Sequence, residues 1–447
     1  MDQEGRFDKL EKEFVREWAL RNPLVGTALG MHEECDDRMP DGTLPKLQED
    51  LRFLRRYETE FSQIDPKRLS ARREVDREFV LGQIRDWLFD LEEVRIWESS
   101  PEAPRVLGEA IFQLLSRNYA PLAHRLRSIM KRLEALPEYL EQTKTRLRTP
   151  AKLFVENELE TLTRLPGFFN IVKEVSRENI PKTPERNLHR LLETAQNALE
   201  RYSDWLIVDI LPQCREEFAV GEAKLRRILQ HRGIKENPAQ LLAWGEAEIE
   251  RLREKLKEIG RPIRRKVPIE DVRELIRQQR PDNFDGALRF VRDQVSKTKQ
   301  FVSRSKFAEM PPGETLFLAE TPSYLRHMLP MASYSPPAKF EAKREGYLFL
   351  TPGDCDSDKL KEHNFAALGT RAIHQGYPGL HLFSAWASHH PSLVRSFARD
   401  PIVSEGWAHY CEERMRELGY DDTPPSRFMM VQEELFNAVR VVMDVKI

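Results

Sequence analysis

The sequence predicts a mainly α-helical protein, with a large helical scaffold over residues 1–310 and a strand pair plus further helices over 311–447. Three observations carry this expectation. Apolar residues recur at three- and four-residue spacing almost without a break to about residue 300. After Pro311 the texture changes to short, aromatic-rich runs bounded by Pro and Gly. Hydrophobic residues make up 40% and charged residues 32% of the 447, which allows a real core inside a heavily charged surface.

Phe7, Leu10, Phe14 and Trp18 mark the first helix by their spacing, and Leu51, Leu54, Tyr57 and Phe61 the next. Leu81, Ile84 and Leu88 mark another. Ala120-Pro121 opens a helix through Leu122, Leu126, Ile129 and Leu133, expected to stop near Leu136-Pro137. Pro184 to Leu211 reads as one long helix. Asn237-Pro238 is an N-cap and first-turn pair for a helix ending at Gly260. Thr315–Ala319 and Gly346–Thr351 read as strands, and Ser335-Pro336-Pro337 forbids a helix between them. A helix is expected to resume near Lys359 and to carry Leu368, Ala372 and Ile373. This layout places the amino-terminal helices along one wall of a long cleft, with the strand pair on its rim. An extended ligand would add there as a further strand.

With 71 basic and 73 acidic side chains, the formal net charge is −2, which gives no footprint for nucleic acid or an anionic membrane. The polar, acidic opening from Met1 to Asp8 has no apolar targeting region, and no run approaches the roughly 18 apolar residues of a membrane span. These features predict a cytoplasmic protein. Cys35, Cys214, Cys355 and Cys411 lie far apart and are expected to be plain reduced thiols.

The informative segments are Arg371–Leu382, containing His374-Gln375-Gly376-Tyr377-Pro378-Gly379-Leu380-His381, and Ser404–Glu413, containing Glu405-Gly406-Trp407-Ala408-His409-Tyr410-Cys411-Glu412. A catalytic zinc commonly takes three His or carboxylate ligands and leaves a fourth position for water. On an unbroken helix, His374 and His381 would stand roughly 10 Å apart along the axis. Two nitrogens on one zinc are about 3.4 Å apart. Pro378-Gly379 offers the break that would bring His381 back. Spacing alone leaves two readings open, a folded-back ligand pair or two unrelated histidines flanking a loop.

Both segments resemble the family called domain of unknown function 885, a helical, zincin-like group related to gluzincin metallopeptidases. Its hallmarks are H-E-(G/A)-x-P-G-H-H and, later, E-G-W-A-x-Y-x-E. His374, Gly376, Pro378, Gly379 and His381 match the first, and Glu405, Gly406, Trp407, Ala408, Tyr410 and Glu412 the second. Further matches run along almost the whole chain, from Asn22-Pro23 through Thr321–Arg326 and Tyr334–Pro337 to Thr351-Pro352. The resemblance implies a zinc-dependent peptidase or hydrolase acting on a peptide or small molecule. His374, His381 and Glu405 would be the metal ligands, with Glu412 behind them and Tyr410 as an oxyanion donor. Gln375 stands where the family has its water-activating Glu, and Leu380 replaces the first of the paired histidines, so a ligand is lost if the family uses the first and His381 remains if it uses the second. An amide cannot take a proton at neutral pH. The family pattern also runs on beyond Ile447, so the resemblance implies a chain cut short at its carboxy end.

Other candidates read first as structure. His409 with Glu405 or Glu413 is a surface helix pair, His389-His390 a loop or helix end, and His363-Asn364 a surface helix start. Asp354-Cys355-Asp356 offers ligand types without matching spacing. Arg371 and Arg395 are expected in ordinary ion pairs, and Trp386 and Trp407 in the core. Three functions follow: an impaired zincin-like hydrolase, a working hydrolase using another carboxylate such as Glu412, or a non-catalytic peptide-binding or scaffold protein.

Overall fold

Phe7, Leu10, Phe14 and Trp18 are buried along one face of the helix Gln3–Arg21, whose first turn is capped by the Asp2 carboxylate accepting from Gly5 N. They meet Phe53, Tyr57 and Phe61 of the helix Leu44–Ser62, and Trp18 stacks on Trp87 of the helix Ala71–Phe89 with ring centroids 4.4 Å apart. This is a computed structural model, describing residues 2–352, 360–397 and 400–447. Asp354, Cys355, Asp356 and the helix restart at Lys359 lie outside the described residues. Among those described, no helix is long and apolar enough to cross a membrane.

A second core joins the helices Ala103–Ser116, Leu122–Lys144, Lys152–Asn179 and Lys182–Trp205 through Leu107, Ile111, Leu133, Phe168 and Leu192. The helix from Leu122 does not stop at Pro137 but runs on to Lys144. Tyr139 and Leu140 continue its buried face beyond the proline, and that packing outweighs the one lost backbone bond. The long helix from Lys182 ends at Trp205 and passes into a π-type turn at Leu206–Ile210. Asn237 and Gln240 cap the helix Pro238–Ile263 reciprocally, at 3.0 and 2.9 Å.

The sheet has three strands in the order β1-β3-β2: β1 is Glu314–Glu320, β2 Ala332–Ser335 and β3 Arg344–Leu350. β1 runs parallel to β3, pairing Phe317 with Tyr347, and β2 runs antiparallel, pairing Tyr334 with Leu348. β2 is too short for a periodic signal and was not expected. β3 is covered on both faces, so Glu345 to Leu350 are all buried and alternation is lost. β2 is an edge strand followed by Pro336-Pro337, which end its capacity to pair.

Buried polar contacts tie the first helices to the last third. The Glu11 carboxylate accepts from Ser392 Oγ (2.9 Å) and from the backbone N–H of Leu393 (2.7 Å) and Val394 (3.1 Å). Arg117 Nε donates to Glu341 at 2.7 Å, and His32 bridges Asp36 and Glu341. Cys35 and Cys411 are free and buried, which pushes their thiols up to about 11 and about 12, so neither is a ready nucleophile.

Candidate functional site

The helix Phe365–Arg371, capped by Asn364, passes straight into a π-type turn at Ala372–Gly376. The chain then turns through a cis Tyr377-Pro378 bond to Gly379, whose N–H donates to Ile373 O at 3.1 Å. A Cβ on Gly379 would lie 2.0 Å from His374 O, so no larger residue fits without moving backbone. Trp407 Nε1 donates to Pro378 O at 2.8 Å, strapping this turn to the helix Pro401–Glu417.

Glu405 and Glu412 lie seven residues apart on that helix and therefore share a face. They bracket the His374 imidazole. Glu405 Oε2 lies 3.1 Å from Nε2, and Glu412 Oε1 lies 2.5 Å from Nδ1. Burial opposes charge on His374, but the two carboxylates outweigh it and push the ring up to about 9. The hydrogen bond from His374 lowers Glu405 in turn, against partial burial. His409 stands beside this group, its ring 5.0 Å from that of His374 and its Nδ1 3.6 Å from Glu412 Oε1. The sequence singled out His409 with Glu405 or Glu413 and read it first as a surface helix pair; only the fold brings the π-type turn to its helix face.

His381 goes elsewhere. It is fully buried, with Nε2 2.7 Å from Glu314 Oε2 and Nδ1 3.1 Å from the Tyr334 hydroxyl. Tyr377 donates to the same Glu314 oxygen, and Lys299 Nζ pairs with the other, each at 2.5 Å. Burial would raise Glu314, but the hydrogen bonds from His381, Lys299 and Tyr377 pull it down to about 2. Gly346 makes room for this cluster, since a Cβ there would come within 2.5 Å of His381 Nδ1. Both ring nitrogens of His381 are thus committed to Glu314 and Tyr334, away from His374 and Glu405.

An open cavity of about 1010 Å³ lies against this region. Gln375, Leu380 and Glu405 line it, together with Ala332, Ser333 and Tyr334 of β2 and Val75 and Phe79 of the helix 71–89. Leu382, Trp386 and Val403 make much of its surface apolar. Gln375 Oε1 is buried and accepts no hydrogen bond. Tyr410 is 51% exposed, packs near Trp407 and Phe307, and is not among the lining residues. Trp386, expected in the core, is 43% exposed on the cavity wall, where its neighbours are too few to bury it. His363 is no surface residue either, being buried with Nε2 2.6 Å from Thr351 O. Arg371 donates to Glu362 O and approaches His363, while Arg395 pairs with Asp76.

The family described as bacterial proteins of unknown function, DUF885, matches residues 23–447. No curated protein matches the chain. Among solved structures, one described as a "putative lipoprotein of unknown function" from Shewanella oneidensis is similar with TM-score 0.72 and 21% identity. It is matched over 98% of this chain and 82% of that one. A second, a "putative lipoprotein" from Colwellia psychrerythraea, has TM-score 0.79 and 17% identity, over 98% of this chain and 83% of that one. At those identities the two structures speak for the fold. The match over residues 23–447 places the chain in the DUF885 family.

Proposed function

We propose that this protein is a metallopeptidase-like member of its family that holds extended peptides in a cleft whose hydrolytic centre has been dismantled. The observation that supports this reading is the cavity wall itself, which Gln375 and Leu380 line beside Glu405, at positions where the family resemblance implies a base and one histidine of a pair. A peptide backbone laid along β2, an edge strand that lines the cavity, would extend the sheet. Its apolar side chains would meet Leu382, Trp386 and Val403.

The zinc implied by the family resemblance does not fit the cavity side of His374. Nε2 and the Glu405 carboxylate, 3.1 Å apart, are close to the separation of about 3.4 Å that two ligands of one zinc adopt. Neither position from which the family resemblance implies a third ligand supplies one. Leu380 has no donor atom, and both nitrogens of His381 are engaged with Glu314 and Tyr334.

Fluorescent extended peptides rich in apolar residues, titrated against the protein with zinc and with chelator, test the reading. Saturable binding without cleavage in either condition is expected. Chelator-sensitive hydrolysis by the parent protein, or no binding across a varied peptide set, would overturn it.

A further inference from the structure

We propose that the chain carries a zinc site on the opposite side of the His374 ring from Glu405, formed by His374 Nδ1, His409 Nδ1 and one carboxylate oxygen of Glu412. These three residues offer ligand atoms that all lie within 4.8 Å of one another. Glu412 Oε1 is already 2.5 Å from His374 Nδ1 and 3.6 Å from His409 Nδ1. Around one zinc with bonds of about 2.0–2.1 Å, such atoms stand about 3.4 Å apart. Small side-chain rotations would open the first distance and leave the second nearly unchanged.

The setting also suits a metal. His409 and Glu412 are three residues apart on one helix face and present their ligand atoms together, while His374 arrives from the π-type turn. Each histidine is held by its outer nitrogen. Glu405 lies 3.1 Å from Nε2 of His374 and accepts its N–H, and the Asn437 amide, whose nitrogen lies 3.2 Å from Nε2 of His409, would accept that ring's N–H with its amide turned end for end. Metal-bound imidazoles are oriented in this way by a carboxylate or another polar group on the far nitrogen. Two imidazoles and one carboxylate suit zinc, whereas calcium and magnesium take oxygen ligands.

This site is not the one the family motif describes. It uses the other nitrogen of His374 and recruits His409, where the motif sets no residue. Glu405 lines the cavity, but His409 and Glu412 do not. The ion would pin the turn 372–376 to the helix 401–417 rather than meet a ligand in the cavity. The inference is independent of peptide binding.

The test is calorimetric titration of zinc into chelator-stripped, dialysed protein, with thermal melts of the same samples. One equivalent is expected to bind and to raise the melting temperature. His409→Ala, at a half-exposed position, is expected to weaken binding at least about 100-fold while the metal-free melt stays close to the parent's. His409→Asn serves as the second variant if the first folds poorly. Absence of zinc binding by the parent would overturn the proposal. So would undiminished binding by the His409 variants together with its loss in Glu405→Gln, which would put the metal on the cavity side.

Discussion

On the proposed reading, two side chains separate the cavity wall from one able to activate water, and they differ in kind. Gln375 lacks a proton-accepting group, whereas Leu380 lacks any donor atom for a metal. Restoring the first alone would therefore still leave zinc without a third ligand on that side of His374. Gln375→Glu is expected to remain without measurable peptide hydrolysis. Gln375→Glu combined with Leu380→His is expected to give chelator-sensitive turnover, because general-base assistance of about 10²–10⁴-fold then has a metal-bound water to act on. The check is an assay of parent, single and double variants on blocked and unblocked peptides, with zinc and with chelator. High turnover from the single variant would show that Leu380 was never the limiting defect. The fold brings His374, Glu405 and Glu412 of the two motif segments together, since seven residues on one helix keep both carboxylates on one face. It could not say which way His381 faces. That orientation depends on Gly346, Glu314 and Tyr334, which lie far away in the chain.

Between elements, the seam joining the turn 372–376 to the helix 401–417 is held by a charged His374 between two carboxylates. Its folded-state value of about 9 lies above the ordinary value of 6.5. The resulting stability is fully present below about pH 6.5, provided the carboxylates stay ionised, and is lost as pH rises through 9. Glu405 is half exposed, so solvent screening keeps the contribution small. Melting temperature is expected to fall between pH 6.5 and 9, and metal-free His374→Gln to show a flatter profile across that window. A parallel pH profile in the variant would refute the assignment. Elements of this kind were unevenly legible. The long amphipathic helices and the two longer strands, β1 and β3, were plain in the periodicity and the Pro/Gly punctuation. The four-residue β2 and the helix running through Pro137 were not, because tertiary packing decides both.

Across the whole molecule, Glu11 ties the first helix to the last third as a buried carboxylate serving a hydroxyl and two backbone N–H groups of residues 392–394. Glu11→Ala would leave those buried donors unpaired and Arg73 without one of its partners. Each unsatisfied donor costs about 1–3 kcal/mol, so a loss of about 2–5 kcal/mol is expected in urea unfolding. A change below about 0.5 kcal/mol would mean that the clamp carries no load. The same contact sets a schedule for synthesis. Glu11 and Ser392 are 381 residues apart, a separation a ribosome covers in roughly 20–80 s at about 5–20 residues per second. For that interval the first helix can pack its aromatic face but cannot satisfy its carboxylate, so the amino-terminal bundle emerges early and closes last.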